Sequence, residues 1–137
     1  MFEIEVDKII LHSQSVRYMT RGNRAMSFTT KEYTSFKQEI QSKLPPLECS
    51  INPMSVSLEI IYPIPKSGSN KARLEKVGSY KSTSPDIDNV AKSILDAMSG
   101  CLYEDDKLIT KLKLSKKYGD LEQKKIKIIV KYKIIDK

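Results

Sequence analysis

The sequence is poor in the residues that staple or anchor small proteins. Among 137 residues there are two cysteines, Cys49 and Cys101, a single histidine, His12, and no tryptophan. Two cysteines without CxxC spacing do not make a disulfide scaffold, and one imidazole leaves a zinc site only scattered ligands to draw on. No run approaches the ~18 apolar residues of a membrane span. The opening segment, MFEIEVDK, is acidic where a secretory leader would be basic. A reducing, cytoplasmic setting is therefore expected, with no membrane association. Negative charge is also short, since 17 Asp+Glu face 24 Lys+Arg for a formal net charge of +7. That balance points to a polyanionic partner, nucleic acid first, although solvated lysine faces would give the same sum.

What is present describes one domain covering residues 1–137, because a second core would not fit in this length. Phe2, Ile4 and Val6 alternate with Glu3, Glu5 and Asp7, the period of a half-buried strand. Residues 13–28 form a basic loop or small ribbon carrying Arg17, Arg21 and Arg24 around Tyr18. Thr29-Thr30-Lys31-Glu32 has the Thr-x-x-Glu spacing of a capping box. Tyr33, Phe36, Ile40 and Leu44 then recur at helical spacing until Pro45-Pro46. Val56, Leu58, Ile60 and Tyr62 mark a second strand that ends before Pro63.

Residues 66–85 carry Lys66, Lys71, Arg73, Lys76 and Lys81 against Glu75 alone. The stretch reads either as a mobile surface loop or as a basic flap that orders on a phosphate backbone. A second helix follows, with Ile87, Val90, Ala91, Ile94, Leu95 and Met98 on one face and Gly100 as its C-terminal cap. Two alternating segments, 108–114 and 126–134, with Gly119-Asp120 between them, are expected to pair as an antiparallel hairpin. Their lysines serve either edge protection or DNA contact. The whole predicts an α+β fold, a mixed four-stranded sheet with two main helices packed on it.

The acidic residues are unevenly placed. In Ser84-Pro85-Asp86-Ile87-Asp88-Asn89, an extended step before the helix would point both carboxylates to one side, where hard oxygen ligands favour magnesium, or manganese, over zinc. The same aspartates could instead cap the helix. A helix from Asp88 to Ser99 advances about 18 Å. The seven residues from Gly100 to Asp106 can reach back roughly 23 Å at full extension, so Glu104-Asp105-Asp106 can return beside the first pair. Lys92, one turn beyond Asp88, would either neutralise a phosphate or form an i,i+4 ion pair.

The run PDIDNVAKSILDAMSGCLYEDDKLI, Pro85 to Ile109, resembles the signature of the RusA family of Holliday-junction resolvases of bacteria and prophages. The resemblance extends over the basic N-terminal segment, the first helix, the Lys/Ser/Gly-rich loop and the closing strand. It implies metal-binding carboxylates at Asp86, Asp88 and Asp106, an essential lysine at Lys92, a supporting Asp105 and a structural Asp96. It also implies a homodimer that nicks four-way DNA junctions symmetrically with Mg²⁺, or Mn²⁺ in its place, in recombination and repair. Ser84-Pro85 stands where some members carry paired arginines, and the double proline of many N-terminal segments is missing, which bears on sequence preference and DNA approach. Arg17, Arg21, Arg24, Lys71, Arg73 and Lys76 are the candidate contacts to the DNA backbone. The alternative expectation is a branched-DNA-binding protein of the same fold that does not cut.

Overall fold

The computed structural model describes residues 1–22 and 24–135, with the side chains of residues 19–21 and 24–28 outside the described set. The elements in chain order are β1 (Phe2–Val6), β2 (Val16–Arg21), β3 (Arg24–Thr29), α1 (Lys31–Lys43), β4 (Met54–Tyr62), α2 (Asn70–Lys76), α3 (Ile87–Met98), β5 (Ile109–Tyr118) and β6 (Ile126–Ile134). Four strands form one mixed sheet in the order β1-β6-β4-β5, and β2 with β3 forms a separate antiparallel ribbon. The α+β expectation holds, with α1 and α3 as its main helices. No described helix is long and apolar enough to cross a membrane.

The core forms where the strand and helix periodicities meet. Along β4, Met54, Val56, Leu58, Ile60 and Tyr62 are buried while the residues between them are half-buried. Clustered with them are Phe36 and Ile40 from α1 and Val90, Ala91, Ile94, Leu95, Ala97 and Met98 from α3. Alternation along a strand and an i,i+3/i+4 stripe along a helix are the two patterns that present one apolar face each. Thr30, extended at the N-cap, accepts a hydrogen bond from the Tyr33 amide, so α1 begins one residue later than a capping box at Thr29–Glu32 would place it. Gly100, at φ +85°, follows α3 in the left-handed region that its missing Cβ makes accessible.

Two expectations are corrected. The last two strands are not a hairpin: β4 lies between them, parallel to β5 and antiparallel to β6. The connection between them passes the end of β4 instead of turning tightly. There the Gly119 amide donates to the Tyr62 carbonyl and the Gln123 side chain to the Ile61 carbonyl. Parallel neighbours need a crossover, and α3 is that crossover. Residues 66–85, in turn, are not a structureless connection. They contain α2, capped by Ser69, and residues 78–81 hydrogen-bond along the outer edge of β5.

Because Ile94 is fully buried at the centre of the α3 stripe, Ile94→Ala is expected to cost about 2–5 kcal/mol in denaturant unfolding, with an unchanged m-value.

Candidate active site

The chain enters α3 through a held loop. The Lys116 ammonium, reaching up from β5, donates to the carbonyl oxygens of Thr83 (2.8 Å) and Pro85 (2.6 Å), on either side of the cis Ser84–Pro85 peptide. Asp86 follows as the extended N-cap of α3 (φ −64°, ψ 135°), and its carbonyl accepts the Val90 amide at 3.1 Å. Its carboxylate makes no capping hydrogen bond. The capping alternative therefore fails for Asp86: its backbone opens the helix and its side chain stays exposed and uncommitted. Asp88 sits in the first turn, also exposed, where the positive end of the helix favours a charged carboxylate. Lys92 is exposed one turn on, and among the described residues the Asp88–Lys92 ion pair does not form.

Asn89 does what the sequence did not announce. Its side-chain oxygen accepts the Ser13 amide and its nitrogen donates to the Ser13 hydroxyl, both at 3.0 Å. This two-point hold ties the start of the basic ribbon to the helix that carries the aspartates. A polar residue between Asp88 and the apolar stripe was the available signal. Further along α3, Asp96 accepts the Tyr33 hydroxyl at 2.7 Å and faces Lys37 at 3.5 Å, so it joins α1 to α3. Burial and the neighbouring Asp96 push the Tyr33 phenol well above its usual range.

After Gly100 the chain doubles back along α3. The Tyr103 hydroxyl donates to the Leu95 carbonyl, and the Glu104 amide donates to Ser50. Asp105 caps the following turn through the Lys107 amide at 2.9 Å, and that bond holds its carboxyl below the ordinary range. Asp106 is pushed upward, first by loss of solvent and then by Asp105 and Asp96, with His12 opposing. The second acidic segment thus lies within electrostatic reach of Asp96 and His12. Among the described residues, no three His, Cys, Asp or Glu side chains gather as a set that could hold a metal ion. The donor chemistry itself, uncommitted carboxylate oxygens with no soft ligand among them, fits a hard divalent cation.

The candidate DNA contacts are dispersed. Arg17 is exposed on β2, with Tyr18 exposed beside it, while the Arg21 and Arg24 side chains lie outside the described residues. Lys71, Arg73 and Lys76 share α2, where the Arg73 side chain donates to the Pro65 carbonyl. Lys116 was missed because it lies beyond the alternating segment 108–114, in the part of β5 that the periodicity did not mark. In fact it pairs with Ile60, in phase with the apolar residues of β4, and a charge in an apolar phase was the signal.

The raised Asp106 carboxyl gives a signed prediction. A group pushed up in the folded state costs stability as pH rises through its folded value. Asp106→Asn is therefore expected to unfold at a temperature no lower than the unsubstituted protein at neutral pH, with any gain vanishing below the ordinary carboxylate range. Thermal scans at several pH values check this.

Over 106 residues the chain is 29% identical to the Bacillus subtilis (strain 168) protein described as "Uncharacterized protein YqaN", covering 74% of this chain and 73% of that one. Residues 11–131, from the loop before the basic ribbon into β6, match the family model described as "Endodeoxyribonuclease RusA". With most of its length so matched, the chain belongs to the RusA endodeoxyribonuclease family.

Proposed function

We propose that this protein is a Mg²⁺-dependent endonuclease that resolves four-way DNA junctions by paired symmetric nicks in recombination and repair. One observation carries the reading: the two carboxylates at the head of α3, Asp86 and Asp88, are exposed and engaged by no other group among the described residues, in a chain of the RusA family. A helix start needs at most one such residue as a cap, and here neither side chain is committed to that role.

In this reading Asp86 and Asp88 hold the cation, with Asp106 contributing from the returning segment. The cation, when bound, supplies Lewis-acid polarisation of a phosphodiester and a lowered pKa for an attacking water. Mn²⁺ would satisfy the same donors. Lys92, on the same helix and with no acidic partner among the described residues, neutralises charge on the phosphate oxygens. Asn89 keeps the basic ribbon beside the aspartates, so that Arg17, Arg21 and Arg24 approach the backbone near the cut. Lys71, Arg73 and Lys76 contact it from α2. One chain carries one set of these residues, so two symmetric cuts require two copies, and a homodimer is part of the proposal.

The test is cleavage of an end-labelled four-way junction in Mg²⁺. The unsubstituted protein is expected to nick opposing strands, and Asp88→Asn to lose at least about 10²-fold in rate while still binding the junction in EDTA. Equal cleavage by both proteins contradicts the assignment. Salt-sensitive binding with no cleavage by either protein, across several junction sequences, would instead indicate a branched-DNA-binding protein that does not cut.

A further inference from the structure

Three lysines converge where β4 and β5 end and the chain turns into α3. The Lys81 ammonium lies 5.3 Å from the centre of the Tyr62 ring and 5.2 Å from that of Tyr118, and it donates to the Thr83 hydroxyl. Lys76, the last residue of α2, places its ammonium 5.9 Å from the same Tyr118 ring. Lys116, on β5, is the clamp on the Thr83 and Pro85 carbonyls. Tyr62 and Tyr118 are partners across β4 and β5, so their rings form a common floor.

These charges are not balanced. None of the three lysines has a carboxylate within ion-pair distance among the described residues, whereas Lys37, Lys43, Lys117, Lys125 and Lys127 each have one. An ammonium has three donors. Lys116 spends two on carbonyls and Lys81 spends one on Thr83, so donors on all three lysines remain without a protein acceptor. Beneath them, the Tyr62 hydroxyl is buried with no hydrogen-bond partner among the described residues. The Tyr118 phenol is drawn below its usual range, first by the Thr83 hydrogen bond and then by the Lys81 and Lys76 charges.

Gathered cations on an aromatic floor, with spare donors and no counter-charge, form a receptor for an anion of phosphate type. We propose that Lys76, Lys81 and Lys116 form a phosphodiester-binding subsite that seats a backbone phosphate of the nucleic acid beside the one presented to Asp86 and Asp88. The assignment rests on the nuclease reading for the identity of the anion. Lys116 gives the subsite its registration: the side chain that faces the phosphate also holds the carbonyl immediately before Asp86. A phosphate seated there fixes the strand relative to the carboxylates.

The experiment measures junction affinity against salt in EDTA, so that cleavage plays no part. For Lys76→Gln/Lys81→Gln, the slope of log affinity against log salt is expected to be shallower by about one than for the unsubstituted protein, the loss of one neutralised phosphate. Lys81→Arg in an otherwise unsubstituted chain keeps the charge and should keep the slope. Lys125→Gln/Lys127→Gln removes the same charge from ion-paired lysines toward the opposite edge of the sheet and should also leave the slope unchanged. An unchanged slope in Lys76→Gln/Lys81→Gln overturns the subsite and leaves the nuclease reading standing, as does an equal fall in the Lys125/Lys127 control. Failure of the unsubstituted protein to bind junction or duplex DNA at all overturns the nuclease reading and the subsite with it.

Discussion

The burial of one face of α3 is the constraint on which the rest of the structure depends. Val90, Ala91, Ile94, Leu95, Ala97 and Met98 are all buried against the sheet and α1, and burying each of the larger side chains among them, Val90, Ile94, Leu95 and Met98, contributes about 1.5–3 kcal/mol of hydrophobic stabilisation. Once that face is sunk, the orientation of the helix is settled. Asp88, Lys92 and Asp96, spaced at i, i+4 and i+8, occupy the remaining face, and Asp86 stands at its open end. Polar residues on α3 can reach substrate or neighbouring elements because the apolar ones cannot leave the core. The parallel pairing of β4 with β5 follows from the same placement, since α3 fills the crossover between them.

Electrostatics separates the two ends of this arrangement. At the C-terminal end of α3 and in the segment after it, Asp96 is tied to Tyr33 and Lys37, and Asp105 to the Lys107 amide. Among the described residues, the carboxylates at the head of the helix are untied, and the nearby lysines at the ends of β4 and β5 lack acidic partners as well. A chain with a formal net charge of +7 thus leaves both signs unneutralised close together. In the proposed function, cation and phosphate backbone complete that pattern, and Lys116 couples its two halves by holding the Thr83 and Pro85 carbonyls.

Much of this was legible in the residues. The alternation of β4 and β6 and the stripes of α1 and α3 were strong enough to place those elements and most of the core. The D-x-D-N-x-x-K spacing of Asp86, Asp88, Asn89 and Lys92 marks the head of α3 in the sequence itself. Strand partnership was not legible, because the alternation in β5 and β6 reports which face is buried and not which neighbour is bonded, and a glycine near 119 invited a hairpin. The helix within residues 66–85 was hidden by lysine, serine and glycine, which carry little apolar periodicity. The roles of Asn89 and Lys116 depend on contacts 76 residues away in sequence for Asn89 and 31 to 33 for Lys116, which no local pattern encodes.

The central claim is that the head of α3 and the segment returning to β5 serve one cation. Adding substoichiometric Mn²⁺ to the isotopically labelled protein and following amide line broadening tests it most directly. The account predicts that the amides of Asp86–Lys92 and of Asp105–Lys107 broaden together at the same metal concentration, and that Asp88→Asn weakens both effects in step. Broadening confined to one segment, or spread diffusely over the surface acids, would contradict it.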